Sequence, residues 1–188
     1  MKKIIIAALL FATVAILGSS TSANAQRRDY MTDAEIELVR DAQDIDMRVE
    51  VLTKMIDRRF LAAGIDSAGW PEPKKGSEKW GDAPTGTRMQ LLSDIRQLLQ
   101  KAVDDVDDVA EHNDNALTQN KTEGLLFPKA VRALSTAAQR YRGILLPLSA
   151  KITDEKEKGV ALASVELCDE IIEAVGKLPP EVKKAKKN

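Results

Sequence analysis

The stretch with the residue types and spacing for site chemistry is Asp104-Asp105-Val106-Asp107-Asp108-Val109-Ala110-Glu111-His112-Asn113-Asp114, which holds the only histidine of the chain. On a helix, Asp104, Asp108 and His112 fall four apart on one face, and Glu111 lies three beyond Asp108. Carboxylates and an imidazole so spaced can hold a divalent cation, which makes Asp104, Asp108, Glu111 and His112 the candidate metal ligands. The competing reading is a solvated acidic face, with Lys or Arg of a neighbouring helix supplying the countercharge.

Other site chemistries find less support. A ferritin-like di-iron centre needs histidines on two helices, and this chain has one histidine. The calcium-loop pattern with its central glycine is absent. Covalent haem attachment would need C-x-x-C-H, and a non-covalent haem would rest on His112 facing Met31 alone. No G-x-S-x-G or Gly-rich phosphate loop occurs, and His112 and the sole cysteine, Cys168, sit in different helical segments without a motif. The sequence therefore reads as a non-enzyme, with no cofactor beyond that divalent metal.

A second candidate site is irregular rather than charged. Residues 65–86 carry Pro71, Pro73 and Pro84, four glycines and both tryptophans, Trp70 and Trp80. A connection this long inside a small domain is uncommon and usually functional or disordered, and disordered linkers are poor in aromatics. Three readings follow, one of them disorder of the connection. In the other two, both rings pack on the helices and pin the connection, or Trp70 and Trp80 form an exposed pair that binds a partner.

Helices must position both sites. Leu38, Ala42, Ile45, Val49, Leu52 and Ile56 form one apolar stripe, and Met47, Val51 and Met55 form a second beside it. Thr32 and Glu35 make a capping box and Gly64 a left-handed stop, so the spacing predicts one long first helix, about 46 Å over roughly 31 residues. Arg58 and Arg59 suit its negative end, and Asp44–Arg48 and Glu50–Lys54 are pairs for its wet face. Thr87 with Gln90 opens a second helix that ends near Asn113. A third starts between Leu125 and Pro128 and is kinked or ended at Pro147. A fourth is capped by Thr153 and closed by Gly176 and Pro179-Pro180. Aromatics are 4% of the residues and strand signals are nearly absent. The fold class is therefore all-α, a four-helix bundle with a long first helix and a long irregular loop between helices 1 and 2. Both up-and-down and overhand connections are sterically allowed.

The N-terminus reads as an export signal: Lys2 and Lys3, an apolar run from Ile4 to Leu17, and an A-x-A site at Ala23-Asn24-Ala25. Residues 1–25 are then a cleaved signal peptide, 26–178 the helical bundle domain, and 179–188 a basic, disordered tail. No other segment is long and apolar enough to span a bilayer. A formal net charge of −1 argues against nucleic acid as the main partner, and a lone cysteine allows no internal disulfide. The functional expectation is a periplasmic or secreted bacterial bundle, non-catalytic, that binds another protein or cell-envelope component. The alternative is a periplasmic divalent-metal binder using the acidic/His cluster. A homo-oligomer joined through the Met47/Val51/Met55 stripe is a further expectation.

Overall fold

Thr32 fixes where the first helix begins. Its hydroxyl accepts from the Glu35 N–H (3.3 Å), and its own N–H donates to the Glu35 carboxylate (3.0 Å), the reciprocal pair of a capping box. The computed structural model describes residues 28–69, 77–112 and 126–178. Among the described residues the regular structure is entirely helical: α1 (Asp33–Asp41), α2 (Ile45–Ala62), α3 (Arg88–His112), α4 (Leu126–Ser149) and α5 (Glu155–Ala174). Two 3-10 turns, Ser77–Trp80 and Val175–Lys177, complete it. No helix is long and apolar enough to cross a membrane. The expected signal peptide, Trp70 and the 179–188 tail lie outside the described residues.

The long first helix expected from Thr32 to Gly64 is two helices, broken at residues 42–44. The reason is electrostatic. In one continuous helix Glu35 and Arg59 would stand about 36 Å apart, yet their side chains are in contact and buried. The chain therefore folds α1 back against α2. Arg48 serves the break rather than the expected pair with Asp44, its Nε donating to the Ala42 carbonyl (3.0 Å). The far end of α2 follows the expectation. Gly64 is left-handed (φ 74°), its N–H reaches Leu61 O (2.9 Å) and the Ile65 N–H reaches Phe60 O (2.8 Å), the two bonds of a Schellman stop.

α2 packs against α3 and α4, and α5 packs against the same two, so α2 and α5 face each other across the core. Ion pairs give the directions. Lys129 near the start of α4 bonds Asp46 near the start of α2 (2.5 Å), and the same step further along both helices Arg140 meets Asp57 (3.1 Å). α2 and α4 are thus parallel. Arg88 and Glu157 join the first turns of α3 and α5 (2.6 Å), which are likewise parallel.

The apolar stripes meet in one core that includes Val49, Leu52, Ile56, Phe60, Leu92, Ile95, Leu99, Ala138, Tyr141 and Cys168. The second α2 stripe does not stay outside: Met55 is fully buried while Met47 is 52% exposed, so the three residues do not form one oligomer face. One cap also differs from expectation. Asp154, not Thr153, caps α5 by accepting from the Glu157 N–H (2.8 Å). Pro147 sits inside α4, where both it and Gly143, whose carbonyl loses its donor, are exposed and water can take the bond.

Candidate functional site

The end of the molecule where α2 finishes and α3 begins holds a buried ionic network, built on the α1 cap. Glu35, which completes that cap, is fully buried and accepts from Arg58 (2.5 Å) and from both terminal nitrogens of Arg59. These contacts hold its carboxyl below the ordinary range against the opposing effect of burial. Arg59 also donates to Tyr30 O (2.6 Å) and Met55 O (3.2 Å). Its Nε has no hydrogen-bond partner among the described residues and lies 4.0 Å from Asp94 Oδ2. Asp94, buried on α3, receives both terminal nitrogens of Arg28 (2.8 and 2.6 Å), and Arg28 continues to Thr85 O (2.7 Å). Burial pushes the Asp94 carboxyl up, with Arg28 opposing. Arg58 donates to Asp82 O (2.7 Å). Three arginines and two carboxylates thus fasten the 28–32 segment and the 81–85 segment to the helices. Between those segments runs a cleft of about 610 Å³ whose lining includes Arg28, Thr32, Asp33, Arg59, Asp82 and Thr85.

A second buried pair locks the other arm of the connector. Asp57 accepts from the Ser67 hydroxyl (2.7 Å) and from Arg140 (3.1 Å), and Arg140 donates to Ser67 O (3.2 Å). Burial raises the Asp57 carboxyl, with Ser67 and Arg140 opposing. The Tyr141 hydroxyl donates to Thr53 O (2.9 Å). The loop presses so closely that a Cβ on Gly69 would lie 1.9 Å from Arg140 Nη1 and 2.1 Å from Asp57 Oδ2. Ala68 turns left-handed there (φ 54°), held by its N–H to Asp66 Oδ1 (2.8 Å).

Trp80 does not offer itself as an exposed ring: it is 4% exposed and part of the core, with Arg58 (5.6 Å) and Lys79 (5.9 Å) over it. Of the three readings of the connector, the packed one describes Trp80. Its edge still floors a cleft of about 330 Å³ with Ala62, Ala83 and Pro84, and Leu61 at the lip is 57% exposed.

The expected metal ligands all fall near the end of α3. His112 Nδ1 lies 3.1 Å from Asp108 Oδ1 and 2.9 Å from Asp108 O, both side chains being 73% exposed. These contacts with Asp108 raise the imidazole above its ordinary value. Asp104 instead accepts from Gln100 (2.9 Å). Among the described residues no three His, Cys, Asp or Glu side chains converge in a metal-holding group. Cys168 is buried, and burial, helped by the Asp169 charge, pushes its thiol up to about 12.

Sequence reasoning placed Glu35, Arg58 and Arg59 at helix ends and overlooked Asp94 as a site residue. The signal was one of phase. Arg59 follows Leu52 and Ile56 at stripe spacing, and Asp94 sits between Leu91 and Leu98 at the same spacing. A charge in the apolar phase of a helix is a charge to be buried, and it needs a partner. No family model matches the chain, and no curated protein or solved structure shows detectable similarity to it.

Proposed function

We propose that this protein is exported to the periplasm or beyond and acts without catalysis, as a four-helix-bundle scaffold of α2–α5 that binds another macromolecule at its connector end. The observation that carries the reading is Leu61, 57% exposed beside a cleft lined by Trp80, Ala83 and Pro84 together with Arg58 and Glu78. A large exposed aliphatic beside such a recess is the makings of an interface anchor. The buried ion pairs on both arms hold that recess rigid, which lowers the ordering cost of association. Ser67 donates to Asp57 and Cys168 is buried. The charged start, apolar run and A-x-A site of residues 1–25 support export.

Two measurements test it. A photo-crosslinking amino acid placed at Leu61 in the producing cell should give a discrete higher-mass adduct, and one placed at Leu162 on α5, itself 39% exposed, should not. The envelope or secreted fraction should contain a chain that begins at Gln26. Identical crosslinking from both positions overturns the interface, and an intact Met1 overturns export.

A further inference from the structure

At the opposite end of the molecule from Leu61, the seam between the parallel helices α3 and α5 is an acidic-lipped groove. Its volume is about 310 Å³, and its floor is apolar: Val103 and Val106 from α3, Leu134 from α4 and Ile171 from α5. Asp107 forms one lip, Glu170 and Glu173 the other, and Lys177 closes the end. All three acids are exposed, and none joins an ion pair among the described residues. The lips extend along the helices. Glu111 lies four after Asp107 and Glu166 four before Glu170, so each row of acids follows one helix face.

We propose that residues 179–188 of this same chain occupy the groove. The segment carries Lys183, Lys184, Lys186 and Lys187 against a single acid, Glu181, with Val182 as its aliphatic. Its charge is thus the complement of the lips, and its apolar residue suits the floor. Position agrees with charge. Leu178, the last residue before it, packs against the Phe127 and Val131 cluster, as Val106 and Val109 of α3 do, at the foot of the same seam. Ten residues reach about 33 Å, while the lip from Lys177 back to Glu166 spans about 16 Å of helix. The tether also sets a high effective concentration, so weak contacts suffice. Residues 113–125 carry two acids, Asp114 and Glu123, and one lysine, Lys121, and lack the charge to match.

The test uses the whole protein with a spin label on Asn188→Cys, Cys168 being buried and out of reach of the reagent. The amide signals of Val103, Val106 and Ile171 should lose intensity relative to those of α1. They should recover at about 0.5 M salt, where the Debye length is about 4 Å. They should also recover in the Glu170→Lys/Glu173→Lys variant, whose substitutions sit on exposed positions and leave the amide spectrum of the core unchanged. Signals equal to those of the reduced label, or losses that persist in the double variant, overturn the proposal. Losses seen only on unlabelled molecules mixed with labelled ones also overturn it, and assign the groove to a second copy.

Discussion

Glu35 does two jobs with one carboxylate: it closes the cap of α1 and it pairs with both Arg58 and Arg59. Removing one member of a buried ionic set leaves an uncompensated charge, which costs about 3–5 kcal/mol. Glu35→Gln should therefore lose about that much in urea unfolding at neutral pH. The pH dependence has a definite sign. Glu35 is lowered in the folded state, so its contribution is present above the unfolded carboxylate range and vanishes as pH falls through its folded value. The gap between the parent and Glu35→Gln should close on acidification. Asp57 behaves oppositely, because burial raises it. Its contribution is full below the unfolded carboxylate range and declines as pH rises through its folded value. The gap between the parent and Asp57→Asn should be widest in acid and narrow toward neutrality. Paired unfolding curves across the acid range read both trends, and parallel trends in the two variants would contradict the assignment.

At the scale of elements, the connector is held by its two arms. Gly69→Ala would drive a Cβ into Arg140 and Asp57, forcing the pair apart or the loop outward. A loss of about 1–3 kcal/mol in unfolding free energy is expected, while Gly143→Ala on the exposed face of α4, where a Cβ meets nothing within 4 Å, should not destabilise. Helix content, the Thr32 and Thr87 capping boxes and the Gly64 stop are local matters of residue type and short spacing, and the sequence carries them openly. The break at residues 42–44 is not local. Ala42 and Ile45 keep the helical stripe through it, and only the pairing of Glu35 with residues 23 and 24 positions away requires the fold-back. The same holds for the site. The Asp104–His112 spacing was legible, but on an exposed face the side chains pair locally rather than converge. The buried network was encoded as charges in apolar phase, a signal whose meaning depends on which helix comes to lie opposite.

For the molecule as a whole, helix direction is the feature that spacing alone left open. A parallel α2 and α4 places Lys129 beside Asp46. A carbodiimide should join those two side chains directly, with loss of one water, and peptide mass spectrometry should find that link. A link from Lys129 to the carboxylates near Arg58 would mean that the helices run antiparallel. The exposed pair itself contributes little to stability, so the reagent reads topology without depending on a strong bond.

That parallel pairing also dictates an order in time. Asp57 and Arg140 are 83 residues apart in the chain, whereas α4 and α5 are joined by a turn of a few residues and share the α4–α5 face of the core. When the chain emerges from a ribosome, α3 can cover one side of the α2 stripe, but Asp57 and the other side wait for α4. Closing that loop waits on synthesis as well as on chain entropy. Neighbours α2 and α3 can thus pair first and α4 and α5 later, and until α4 arrives the earlier-made pair carries an apolar flank and an unanswered acid, the natural client of a holding chaperone.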